Sequence, residues 1–124
     1  MNVFIVEDAS VTRNELTGLL AREEGFAVVG EAGSVKEALA GLRARVPEAV
    51  LLDVSLPDGS GIAVLKFIRQ QGWDVRVVVL TSNPYEALRT KCRALGAAAV
   101  LDKLDGLDQV LEALLALSPR LESN

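Results

Sequence analysis

Five times along this chain a short apolar run, broken only by Arg76 in the fourth, gives way to a longer stretch with apolar residues at helical spacing. The runs are Val3 to Val6, Phe26 to Gly30, Ala49 to Leu52, Val75 to Leu80 and Ala97 to Leu101. A strand with one wet face alternates apolar and polar residues. A strand that is apolar throughout is covered on both faces, as in a parallel sheet. Five strand–helix units and the right-handed crossover rule together predict a doubly wound α/β sandwich around a five-stranded parallel sheet.

The residues between the runs supply starts and stops. Ser10 to Glu24 carries Val11, Leu16, Leu19 and Leu20 at helical spacing, and Gly25 is expected to stop that helix. Ser34-Val35-Lys36-Glu37 is a capping-box pattern ahead of Ala38, Leu39 and Leu42. Leu56-Pro57-Asp58-Gly59-Ser60-Gly61 reads as a loop, followed by a helix from Ile62 to Gln71. Asn83-Pro84-Tyr85-Glu86 predicts a helix with Asn83 as cap and Pro84 in the first position. Gly96 is expected to end it, and Asp105 to cap a last helix from Leu107 to Leu117. Residues 1–117 are therefore expected to form one domain, with 118–124 a polar tail that could begin a linker.

Composition removes several classes of chemistry. The chain has no histidine, which excludes Ser-His and Cys-His triads, HExxH zinc sites and histidine phosphocarriers. Its single cysteine, Cys92, excludes an internal disulfide and a multi-cysteine metal site. Any metal must therefore be a hard cation on oxygen ligands. Thirteen Lys and Arg against seventeen Asp and Glu leave a net charge of −4, which disfavours direct nucleic-acid binding. No stretch reaches the ~20 apolar residues of a membrane span, and the N-terminus lacks the basic flank of a signal peptide. A cytoplasmic location is the resulting expectation.

The chemistry lies where the apolar runs end. Glu7 and Asp8 follow the first run, Asp53 the third and Thr81 the fourth, while Lys103 comes just after the fifth. Ligands of open parallel sheets bind beyond the carboxyl ends of the strands, at the switch in strand order. With the order 2-1-3-4-5, Asp53 stands between the first and fourth strands, ~4.8 Å from each. Glu7 and Asp8 then flank it on one side and Thr81 on the other, with Lys103 within reach. Singly, Asp8 is a helix cap, Asp53 a turn residue, Thr81 a β-branched strand residue and Lys103 a solvated surface lysine. Together, three carboxylates repel one another unless a divalent cation joins them, and oxygen-only ligands suit Mg²⁺. The set predicts a phosphoryl-transfer site with Asp53 as nucleophile.

The segments Val6-Glu7-Asp8, Val50-Leu51-Leu52-Asp53-Val54-Ser55-Leu56-Pro57-Asp58-Gly59-Ser60-Gly61, Val79-Leu80-Thr81-Ser82 and Gly96-Ala97 followed by Lys103 resemble, in this order, the receiver domain of bacterial response regulators. The resemblance covers nearly the whole chain. It implies a flavodoxin-like (βα)5 fold and transfer of a phosphoryl group from a sensor histidine kinase, or a phosphotransfer protein, to Asp53. It implies Asp8 and Asp53 as direct Mg²⁺ ligands, the Ser55 carbonyl as a third, and Glu7 as an acid acting through water. It gives Thr81 the hydroxyl that moves onto the phosphoryl group and Lys103 its ion pair. Two positions depart from the family. Val100 replaces an aromatic residue used in switching, and Leu104 replaces a proline after the lysine. Val100 has a stiff χ1 and no long lever, so the switch is expected to run through the Thr81 to Tyr85 loop.

The resemblance further implies an output face on the helix from Tyr85, the strand near Val100 and the helix from Leu107. Arg89, Lys91 and Arg93 lie there, as an output surface or as a solvated helix face. Segments near Glu31 to Gly33 and Lys103 to Leu107 resemble receivers fused to helix-turn-helix output domains, so both a stand-alone receiver that acts by docking and a piece of a longer transcription regulator stay open, as does a homodimer. Two other functions compete. One is a docking module of the same fold that is never phosphorylated. The other is an aspartyl-phosphate phosphatase-like enzyme, but Ser55 stands where that chemistry needs a second aspartate as general acid. The expectation is a phosphoacceptor and not an enzyme with turnover.

Overall fold

A computed structural model describes residues 1–117. Strands β1 (Asn2–Val6), β2 (Ala27–Ala32), β3 (Ala49–Asp53), β4 (Arg76–Thr81) and β5 (Ala99–Asp102) form one sheet in the order 2-1-3-4-5. Every pairing in it is parallel. Helices α1 (Ser10–Ala21), α2 (Val35–Ala44), α3 (Gly61–Gln71), α4 (Glu86–Ala94) and α5 (Asp108–Leu117) follow the strands in turn. The polar tail at 118–124 lies outside the described residues.

The apolar runs have the cause expected of them. Phe4, Val6, Val50, Leu52, Val77, Val79 and Val100 pack on one face of the sheet with residues of α2, α3 and α4. Val3, Ile5, Ala49, Leu51, Val78 and Leu80 pack on the other with Leu16 and Leu20 of α1 and Val110 and Leu114 of α5. Successive side chains of a strand point to opposite faces, so two cores require apolar residues at every position.

Several local features differ from the expectations. α1 ends at Ala21, before Gly25, which takes a left-handed φ of 93° in the turn into β2. Asn83 does not cap α4. That helix begins at Glu86 because Tyr85 stays extended, with a ψ of 159°, which leaves Asn83 and Pro84 outside the helix. Asp105 belongs to a short 3-10 turn, Lys103–Asp105, and α5 starts only at Asp108. The loop after Asp53 contains a two-residue antiparallel hairpin, Ser55–Leu56 against Gly59–Ser60. The Ser34 cap is as expected: its hydroxyl oxygen accepts the Glu37 N–H at 3.1 Å.

Phe4 fills the space between β2 and α2, opposite two glycines. A Cβ at Gly41 would stand 2.6 Å from Phe4 Cζ, and one at Gly30 would stand 2.5 Å from Phe4 Cε2. Alanine in a helix interior gains about 1 kcal/mol over glycine. Overfilling a packed core costs about 1–3 kcal/mol. Gly41→Ala is therefore expected to lower stability by about 1 kcal/mol despite the better helix former. A urea midpoint equal to or above that of the wild type would contradict this packing.

Candidate functional site

β1, β3 and β4 lie side by side, so their carboxyl ends share one crevice. Glu7 and Asp53 are almost fully buried there, 1% and 4% exposed, with Thr81 at 7%. Asp8, one residue beyond Glu7, is exposed at the rim. Glu7, Asp8 and Asp53 each bring a carboxylate oxygen within 4.8 Å of the others. From β5's end, Lys103 reaches across to join them. Its Nζ donates to Glu7 Oε1 at 2.6 Å and to Asp53 Oδ2 at 2.9 Å. Ser55 sits exposed in the hairpin, and its backbone N–H donates to Asp53 Oδ1 at 3.1 Å. Thr81 ends β4, with its Oγ1 accepting the Asn83 N–H at 3.1 Å.

The electrostatics follow from this crowding. Burial, with Asp53 alongside, pushes the Glu7 carboxyl up to about 7 against the pull of the Lys103 ammonium. Burial on its own would lower Lys103, but its bonds to Glu7 and Asp53 win and hold it above its ordinary value. One oxygen, Glu7 Oε2, is buried with no hydrogen-bond partner. A buried carboxylate oxygen left without a donor is costly. Together with the clustered oxygens of Asp8 and Asp53, it fits a small hard cation.

The site's supports are less visible in the sequence. Arg13 of α1 donates through Nη1 to the Glu7 carbonyl at 2.8 Å. Asp58, read from sequence as part of a turn, accepts the N–H groups of Val35 at 2.7 Å and Lys36 at 3.1 Å. Those two bonds hold its carboxyl below the usual range. Asp58 thereby caps α2 and fastens the hairpin after Asp53 to it. Ser60 caps α3, its oxygen accepting the Ile62 N–H at 3.1 Å. Gly61 is buried, and its N–H donates to the Val54 carbonyl at 2.7 Å.

A strand-order switch with an acid-lined crevice and a crossing lysine defines a phosphoryl-handling class of α/β protein. The response regulator receiver domain model matches residues 3–115, and the chain belongs to that family. It is 38% identical over 109 residues to the DNA-binding transcriptional activator DevR/DosR of Mycobacterium tuberculosis, covering 87% of this chain and 50% of that one. It is 34% identical over 115 residues to the response regulator GacA of Pseudomonas aeruginosa, covering 92% and 53%. The chain thus spans about half the length of the curated relatives it matches. Among solved structures, the signal receiver domain of NarL from M. tuberculosis aligns with a TM-score of 0.86 at 26% identity, covering 94% of each chain. A chain of the CheX–CheY–BeF3–Mg²⁺ complex from Borrelia burgdorferi aligns with a TM-score of 0.88 at 27% identity, covering 94% of this chain and 88% of that one. Among the described residues, no helix is long and apolar enough to cross a membrane.

Proposed function

We propose that this receiver domain accepts a phosphoryl group on Asp53. The observation that supports it most directly is the Glu7–Lys103–Asp53 arrangement, with Lys103 Nζ 2.9 Å from Asp53 Oδ2. Glu7, Asp8, Asp53 and the Ser55 carbonyl would hold Mg²⁺, which when bound offsets negative charge on phosphoryl oxygens. A carboxylate oxygen of Asp53 forms the new bond to phosphorus as the donor's bond to phosphorus breaks. Lys103 already stands on Asp53 and can take a phosphoryl oxygen without crossing the crevice. Thr81 would give its hydroxyl to another, and the Ser55 N–H steadies the attacking carboxylate.

The donor in this reading is a sensor histidine kinase or a phosphotransfer protein. Residues 1–117 act as the receiver domain, with 118–124 leading away from it. Output to transcription is suggested by relatives such as DevR/DosR, described as a DNA-binding transcriptional activator. Hydrolytic turnover is not proposed, because Ser55 offers a hydroxyl where a general acid is needed.

Incubation with acetyl phosphate or phosphoramidate and Mg²⁺, followed by intact-mass measurement, should add one phosphoryl group to the wild type and none to Asp53→Asn. An adduct that persists in Asp53→Asn would overturn the assignment.

A further inference from the structure

Arg89 lies on α4, where a surface arginine would ordinarily be solvated. It is instead half-buried and bonded to two backbone carbonyls from different elements. Its Nε donates to Pro84 O at 3.0 Å and its Nη1 to Val100 O at 2.9 Å. Pro84 belongs to the loop that follows Thr81, and Val100 is in β5.

The loop is tied to Thr81 by short steps. Thr81 Oγ1 accepts the Asn83 N–H at 3.1 Å, the Asn83 carbonyl accepts the Tyr85 N–H at 3.0 Å, and the Tyr85 carbonyl accepts the Arg89 N–H at 3.1 Å. Pro84 removes a donor from this segment and fixes one of its torsions, so the loop has few ways to absorb a movement locally. Val100 itself is buried and β-branched, with one stiff torsion. Tyr85 is 56% exposed and packs no lever into the core. The planar fork of Arg89 is left as the side chain bonded to both the loop and β5.

We infer that Arg89 is a positioning residue that carries the state of the Thr81 loop to β5. When the Thr81 hydroxyl turns toward a phosphoryl group on Asp53, its bond to the Asn83 N–H is given up. The loop then shifts at Asn83-Pro84, and the guanidinium must follow Pro84 O or release Val100 O. Either way the change reaches the middle of β5 through backbone carbonyls. This inference rests on the phosphoacceptor reading of Asp53.

The test is a set of amide NMR spectra of the full chain with and without beryllofluoride and Mg²⁺. The Asp102 and Lys103 amides adjoin the side chain that touches the pocket directly, so they report binding. The Leu101 N–H shares its peptide group with the Val100 carbonyl, so Leu101 and Val100 report transmission. In the wild type both pairs should shift, along with the Arg89 Nε–H. In Arg89→Ala the shifts at Asp102 and Lys103 should persist while those at Val100 and Leu101 fall at least threefold. Arg89→Lys keeps the charge and the aliphatic stem but lacks the planar fork, so it should behave like Arg89→Ala and also serves if the alanine variant does not fold. Undiminished shifts at Val100 and Leu101 in the lysine variant, with binding intact, would overturn the inference. No response at Asp102 and Lys103 in the wild type would overturn the phosphoacceptor reading instead.

Discussion

Gly61→Ala should lower the melting temperature by about 10 °C. A Cβ at this position would overlap the Asp53 carbonyl oxygen and stand 3.0 Å from both the Asp53 carbonyl carbon and Val54 Cα. These are backbone atoms of the strand end that carries Asp53, so no rotamer change relieves the clash. The helix-propensity gain of alanine is about 1 kcal/mol, and overpacking against fixed backbone costs about 3 kcal/mol or more, so the clash wins. Relief requires α3 to move away from Asp53. A displacement of about 1 Å at a reacting group can cost 100-fold in rate, so the acetyl phosphate reaction should slow at least tenfold. Gly18, in the middle of α1, is the control: a Cβ there meets nothing within 4 Å. Gly18→Ala should raise stability by about 1 kcal/mol. Equal melting temperatures for the two variants would contradict the close approach of α3 to β3.

The second large effect is on pH dependence without Mg²⁺. Glu7 ionises near 7 in the folded protein against 4.5 for its ordinary value. Between those two values the unfolded chain releases the proton and the folded protein keeps it. Stability from this group is complete below 4.5 and is lost as pH rises through 7. Each tenfold difference in proton affinity between the folded and unfolded chain is worth roughly 1.4 kcal/mol, so the full loss is on the order of 3 kcal/mol. Glu7→Gln is the neutral isostere and removes the effect. Denaturant titrations at pH 5 and pH 8 should show a fall in the wild type and a nearly level profile in Glu7→Gln, the two differing by about 2 kcal/mol. Mg²⁺ at pH 8 should restore the wild type and leave the variant far less changed, since ligand binding stabilises only a site that binds it. Parallel pH profiles would show that Glu7 ionises normally.

Most of the architecture was legible because two-sided burial writes itself into β1, β3 and β4 as apolar runs. The site residues Glu7, Asp8, Asp53, Thr81 and Lys103 could be read as a group because strand order places the ends of those runs at one crevice. The structure brings three carboxylates and the lysine together and sets Thr81 at the end of the neighbouring strand. What escaped the sequence has a common cause. Asp58 caps a helix that begins 23 residues earlier in the chain, and Arg89 serves a carbonyl 11 residues later. Such partners are set by tertiary placement, and an aspartate in a Pro-Asp-Gly turn or an arginine on a polar helix looks the same with or without them. The mistaken cap at Asn83 is of another kind. Asn83 and Pro84 fit the cap and first position of a helix, yet Tyr85 stays extended with a ψ of 159°, and no local residue pattern marks that.

The place of Lys103 in the chain bears on how the protein is made. The two buried acids stand at the ends of β1 and β3, whereas the ammonium that balances them follows β5, an edge strand and the last of the five in chain order. A nascent chain can pair β1 with β3 once residue 53 has emerged, but it then holds Glu7 beside Asp53 with no counter-ion of its own. Docking of β5 therefore also brings the crevice its counter-ion. Translation arrested before residue 103 leaves a sheet whose centre lacks that counter-ion.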